Sequence, residues 1–428
     1  MIPALLLALA LVDAAPTTSS EVPALLTFED AVRIARDRSP DVALADVAVV
    51  ASRAHARIAG ALPNPAASFM AGWSSQCADP GCNLPTYVAT LGDQGAVAFL
   101  VTGQRGLAVD AAAEVVRAAE AGRLDVVRNL EFEVKRQFVA TSLAWRAVGF
   151  GRREAERARA AVGLGRQRQA GGEISANDLS RLSLLQLQVE QAVDRAELAH
   201  EQARLLLAQL LGMQDGAPAF AVVTGPTRSA EPPAALATAT LPGLLAEALR
   251  RRPDLAVARA SLDAARASSE LARRRVIPQF QLQAQYAQQG APGGWFTPPT
   301  ASVGLSLPLP VLDQQQGQIG AADAGVAAAE ASLRKVGAQV AADVGTAFAA
   351  FKASMRQARR AEEGLLALSR DVRDTVAVDY GKGTASLLDY LDTQRSRILN
   401  EIEYLGTLQD FWTAVFQVER AVGTTFVP

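Results

Sequence analysis

The chain has 428 residues, 50% hydrophobic and 20% charged, a composition able to bury a sizeable core and unlike that of a disordered tail. Lys+Arg number 42 against 44 Asp+Glu, a formal net charge of -2. No basic field exists to hold a phosphate backbone, which excludes nucleic acid as a partner.

Met1 to Leu11 is nearly all apolar and runs into Val12-Asp13-Ala14-Ala15, the small-residue ending of a secretory signal segment; residues 1–15 are read as that segment. Beyond it, no run approaches the ~18 apolar residues of a membrane-spanning helix. A membrane crossing would have to use β-strands.

Residues 16–212 read as a first structural unit: a helix, a β-hairpin over 66–104 and a long helical hairpin over 105–212. Ala67 to Ser74 alternates loosely and Ala96 to Val101 is apolar throughout, so these are taken as the two strands, with Tyr87 in their connection. Cys77 and Cys82 lie in a turn-rich stretch of that connection, and in an exported protein a local disulfide is the plain reading. His55 and His200 stand singly in helical patterns, so no metal site or cofactor is indicated.

No proline occurs from Thr86 to Ala217, and a proline inside a helix costs roughly 3 kcal/mol. Arg105 to Ala170 can therefore be one helix, on the order of 100 Å long. It turns at Gly171-Gly172, and Ser175 with Asp178 forms a Ser-x-x-Asp helix start. Leu182, Leu185, Val189, Ala192, Ala196, Ala199, Ala203, Leu206 and Leu210 then alternate spacings of three and four, a coiled-coil seam.

Residues 213–241, rich in proline and alanine, read as a linker, and residues 242–428 repeat the first unit: a helix, a β-hairpin over 279–311 and a helical hairpin over 312–423. Pro40-Asp41-Val42-Ala43-Leu44-Ala45 returns as Pro253-Asp254-Leu255-Ala256-Val257-Ala258, and Pro65 as Pro278, both at an offset of 213 (253 − 40, 278 − 65). Gly172-Glu173-Ile174-Ser175 and Asp178 return as Gly383-Thr384-Ala385-Ser386 and Asp389, an offset of 211 (383 − 172, 389 − 178). A repeat this long is a duplicated multi-element unit.

Phe280-Gln281-Leu282-Gln283-Ala284-Gln285-Tyr286 alternates strictly, placing Gln281, Gln283 and Gln285 on one face and apolar residues on the other. A transmembrane barrel strand has this pattern, polar to the lumen and apolar to lipid; a half-buried soluble hairpin shares it. Ser302 to Leu307 alternates too, and Trp295 with Phe296 lies between. No proline interrupts Val311 to Val427, and the second seam is read through Ile398, Ile402, Leu405, Trp412 and Phe416, with Gln409 interrupting. Four strands cannot close a barrel, and open edges are not tolerated in hydrocarbon. A membrane form must oligomerise.

These residues resemble the TolC-like outer-membrane efflux proteins over essentially the whole mature chain. The resemblance rests on Ala31 to Pro65 and its copy, on Gly383 to Gln394, and on Leu305 to Asp313 with Gly317; the last stretch is most similar to the heavy-metal cation branch. It implies a mainly α fold with a small β part: long antiparallel helices forming an α-barrel, and four transmembrane strands per chain in a trimeric 12-stranded β-barrel. It also implies an outer-membrane location in a Gram-negative bacterium, extending into the periplasm. The expected partners are a periplasmic adaptor and an inner-membrane pump.

By position, Gly172, Ser175, Gly383 and Ser386 would be the adaptor-docking tips, and Asp178, Asp389 and Asp392 a periplasmic aperture. One departure is that Arg181 stands where an aspartate matching Asp392 would fall. A duct for protein secretion and a pore-less periplasmic coiled-coil adaptor are the competing readings. No nucleophile, base or phosphate loop suggests an enzyme.

Overall fold

The computed structural model describes residues 22–74, 84–213, 220–223, 229–291 and 294–427. The signal segment and the Cys77–Cys82 pair lie outside the described residues.

The first unit contains β1 (Leu25–Leu26), α1 (Phe28–Arg38), α2 (Pro40–Gly60), β2 (Ala66–Ser74), β3 (Leu84–Gly92), α3 (Ala96–Val101), α4 (Gln104–Ala170) and α5 (Ala176–Leu210). Between the units come β4 (Ala221–Val222) and α6 (Ala234–Ala237). The second unit contains α7 (Leu241–Arg251), α8 (Pro253–Arg274), β5 (Gln281–Ala291), β6 (Trp295–Phe296), β7 (Thr300–Ser306) and α9 (Gln316–Arg360). A π-helical segment (Ala361–Leu366), α10 (Ala367–Lys382) and α11 (Leu387–Val422) complete it.

Pro40 and Pro253 open α2 and α8, where the missing N–H costs nothing and the fixed φ favours the first turn. α4 runs unbroken for 67 residues. Its counterpart, 212 residues on, spans the same length (316 − 104, 382 − 170) but passes through the π-helical segment.

The four strands β2, β3, β5 and β7 form one antiparallel sheet in that order, with the short β6 paired to the end of β5. The stretch Ala96–Val101 is a helix, not the expected strand, and the strand is Leu84–Gly92, with Tyr87 inside it. An apolar run without alternation does not distinguish helix from strand. Here Asp93 decides: its carboxylate accepts from Gly95 N and Val97 N at the start of α3, and from Leu282 N of the sheet.

The expected seam of α5 holds through Leu182, Leu185 and Val189, then shifts: Leu206 is exposed and Leu207 buried. A straight helix drifts about 20° per heptad against a 3.5-residue repeat, so the buried stripe moves on by one position. In α11 the expected line holds at Leu405, Trp412 and Phe416, which are buried, and fails at one position. Ile402 is exposed, and Arg397, Glu401, Tyr404 and Leu408 are buried.

The core gathers midway along the helices, where α1, α4, α9 and α11 meet β1 and β4. Phe28 stands edge-on to Phe138 at 5.4 Å and stacks with Phe416 at 5.7 Å. α8 packs against both α4 and α9, while α2 packs on α4 and α1.

Candidate functional site

Register sorts the sheet into two faces. Phe69, Ala89, Tyr286 and Ala301 form one cross-strand row, and Ala67, Leu91, Ala284 and Val303 the next on the same face. Opposite them run Ser68, Thr90, Gln285 and Ser302, then Ala66, Gly92, Gln283 and Gly304, with Gln281 beside Ser306. The first face is apolar and the second polar or small, with no charged residue in these rows. Phe69, Trp73 and Val303 are 71%, 75% and 84% exposed. A surface of this kind on successive strands calls for an apolar environment. On the polar face Gln283 lies over Gly304, where an added Cβ would meet its amide nitrogen at 2.9 Å.

At the far end of the long helices are two hairpin tips built alike. Gly172 and Gly383 adopt left-handed φ of +78° and +80°, and the next N–H in each case reaches five residues back: Glu173 N to Arg168 O at 2.8 Å, Thr384 N to Asp379 O at 2.9 Å. This is the glycine stop of a Schellman motif. Ser175 and Ser386 then start α5 and α11 with reciprocal capping boxes. Asp178 accepts from Ser175 Oγ at 2.8 Å and Asp389 from Ser386 Oγ at 2.6 Å. Both carboxylates are thus engaged at helix N-termini, where the dipole favours negative charge.

Asp392 lies one turn further on and exposed. It lines a groove of about 190 Å³ between α5 and α11 with Arg181, Arg395, Leu184, Leu388 and Leu391. Two guanidinium groups therefore share the groove with its one carboxylate.

Periodicity along one helix did not reveal the tie between the two hairpins. Arg168 of α4 donates to the carbonyls of Tyr380 at 3.3 Å and Gly381 at 2.9 Å, and its guanidinium lies over the Tyr380 ring at 5.3 Å. Tyr380 in turn stacks on Tyr390 of α11 at 4.8 Å. The basic side chain just before a glycine stop was the available signal.

Residues 244–424 match the family model described as outer membrane efflux protein. The chain is 24% identical over 321 residues to the cobalt-zinc-cadmium resistance protein CzcC of Cupriavidus metallidurans, covering 75% of this chain and 74% of that one. Over residues 244–424 the chain is similar to the outer membrane efflux proteins. It is also 29% identical over 318 residues to the outer membrane protein OprJ of Pseudomonas aeruginosa, covering 72% of this chain and 63% of OprJ. Its fold is similar to that of a crystallised Pseudomonas aeruginosa membrane protein, with a TM-score of 0.78, 23% identity and 92% of each chain covered. Among the described residues no helix is long and apolar enough to cross a membrane.

Proposed function

We propose that this chain is the outer-membrane channel of a tripartite efflux system, a passive conduit that carries solutes onward from a periplasmic adaptor and an inner-membrane pump. The observation that carries this reading is the sheet. Its apolar and polar faces are separated row by row across four strands, and among the described residues β2 and β7 each keep an unpaired edge. Lipid tolerates the first face only if the edges are closed. Three copies of four strands give a 12-stranded barrel, a size that encloses a lumen.

Gln281, Gln283 and Gln285 then line the lumen, and the long helices continue the duct into the periplasm. The tips at Gly172–Ser175 and Gly383–Ser386 are the adaptor contacts. Asp392 is the aperture residue, and Asp178 and Asp389 serve first as caps. The segmented faces favour the channel over a pore-less coiled-coil adaptor, which has no use for an apolar sheet surface.

Purified protein added to planar lipid bilayers should give stepwise conductance and run in detergent at three times the monomer mass. A stable monomer without conductance would overturn the proposal.

A further inference from the structure

Where the sheet passes into the long helices, apolar residues stay uncovered. β7 stops pairing at Ser306, yet its apolar positions go on: Leu307, Leu309 and Val311 follow Val303 and Leu305 at every second residue. Leu309, Val311 and the next residue, Leu312, are 72%, 74% and 95% exposed. In the first unit the matching connector is α3, whose Val97, Leu100 and Val101 share one exposed face while Ala98 is fully buried. The two connectors correspond at an offset of 212 (309 − 97, 312 − 100). Each ends on a residue of left-handed φ, Gly103 at +72° and Gln315 at +64°, before α4 and α9 begin. α3 follows β3 and packs on β5, the two inner strands of the sheet. Its face therefore lies away from the edges at β2 and β7, where another copy would join.

Basic side chains stand at the same level. α8 closes with Arg273 and Arg274, and Arg275 follows as its C-cap just before β5. Arg273 pairs with Asp323 at 2.8 Å. Arg274 and Arg275 are exposed, and their guanidinium groups form no ion pair or hydrogen bond among the described residues. The backbone beneath them is fixed: Gln104, 1% exposed, donates through Nε2 to Arg274 O at 3.3 Å and Ile277 O at 3.2 Å.

Arg275 lines a cavity of about 610 Å³ together with Val276, Pro278, Leu309, Val311 and Leu312. The one carboxylate in its walls, Asp313, accepts from Gln315 N at 2.8 Å. A guanidinium without a partner and a wall of exposed aliphatic side chains thus share one hollow. Water suits the first and not the second. A bare phosphate would engage the arginine and leave the leucines wet, whereas an amphiphile uses both. The guanidinium fork matches two phosphate oxygens, and a long basic side chain lays its stem on apolar surface while its head reaches the lipid headgroups.

We propose that this hollow holds an anionic phospholipid of the periplasmic leaflet. Its phosphate sits on Arg275 with Arg274 beside it, and its glycerol and upper acyl carbons lie against Leu309, Val311 and Leu312. The site depends on the reading of the sheet as membrane-spanning, and adds to it a lipid class and the residues that select it. Selection is by headgroup: a zwitterionic lipid has the same chains, but its own cation competes with the two arginines for the phosphate.

The test is lipid retention by the detergent-purified trimer, read by native mass spectrometry. Phosphatidylglycerol and phosphatidylcholine with the same chains are offered in equal amounts, and inorganic phosphate is a third arm. Phosphatidylglycerol should stay bound at one per chain, and the other two should not. Arg274→Gln with Arg275→Gln should weaken its binding about thirtyfold, the factor for two basic residues at an anionic lipid surface. Arg334→Gln, exposed on α9, should leave it unchanged. Equal retention of the two lipids, unaltered binding in the double variant, or binding of phosphate alone overturns the proposal. Leu312→Cys, in a background lacking Cys77 and Cys82, should react with a lipid-soluble maleimide in vesicles; an inert thiol means that another copy covers the hollow, and the lipid site is lost. Conducting trimers that hold both lipids alike leave the channel reading intact and remove only this site. A monomer without conductance in phosphatidylcholine bilayers removes both.

Discussion

Lys135 of α4 and Glu419 of α11 form an ion pair of 2.8 Å with both side chains almost wholly buried, 5% and 7% exposed. Lys135 Nζ also donates to Val427 O at 3.2 Å and lies over the Phe28 and Phe416 rings. The other oxygen of Glu419 accepts from Phe426 N and Val427 N, both at 2.6 Å. The pair thus fastens the C-terminal stretch to the core. Glu419→Ala, which leaves a buried ammonium without its partner, should cost about 3–5 kcal/mol. Lys135→Met with Glu419→Leu should cost clearly less than that single change, because both charges go together. Denaturant unfolding of the detergent-solubilised protein measures both; equal losses would mean that the backbone bonds of Glu419, and not the charge, carry the effect.

Single cysteines along β5, in a background lacking Cys77 and Cys82, should react with water-soluble thiol reagents at positions 281, 283 and 285. Leu282→Cys and Tyr286→Cys, in the rows of Leu305 and of Phe69, should react only with reagents that enter lipid. The opposite pattern would mean a register slipped by one residue.

Asp392 shares its groove with Arg181 and Arg395, so its carboxylate acts against two positive neighbours. Asp392→Asn should reduce cation preference and multivalent-cation block from the periplasmic side in single-channel recordings, and Arg181→Asn should increase both. Asp389→Asn should leave conductance nearly unchanged and act mainly on the cap, as should Ser386→Ala, which costs roughly 0.5–2 kcal/mol. Identical recordings for wild type and Asp392→Asn would leave Asp392 without a role at the aperture.

His200 packs against Trp145 with ring centroids 5.1 Å apart. Burial, helped by Arg204 and opposed by Glu201, holds its imidazole below the ordinary value of 6.5. The unfolded chain therefore binds more protons between the two values, and stability rises with pH there. This contribution is complete above about 6.5 and is lost as pH falls toward the folded value. His200→Phe should flatten that part of the profile, so that the variant's unfolding midpoint rises relative to that of the wild type from pH 7.5 to pH 5. A constant gap would show that the packing is indifferent to the charge.

The long helices were legible because proline is absent from two tracts, and the tips because Gly172, Ser175 and Asp178 have counterparts in Gly383, Ser386 and Asp389. Those are local rules, satisfied within a few residues. The strand at Leu84–Gly92 was hidden because Val88 interrupts its alternation, while Ala96–Val101 is equally apolar on every side and so has no readable period. The seam of α5 was overextended because a 3.5-residue pattern was continued along a helix of 3.6. Arg168 and Tyr380 meet across 212 residues, and that contact depends on how two hairpins stack, which neither helix encodes alone.

The π-helical segment at Ala361–Leu366 makes the two long legs unlike in gearing though equal in residue count. Above it, α4 and α9 leave equivalent left-handed residues and keep step. A π turn takes up an extra residue, and each residue advances the helical wheel by about 100°. Below Leu366, side chains that match in sequence therefore no longer point the same way. Three copies of the chain would come close to six interchangeable staves in the upper bundle, and to three pairs of unlike staves at the mouth. Anything that grips the tips would then meet two different seats per copy, whatever its own symmetry.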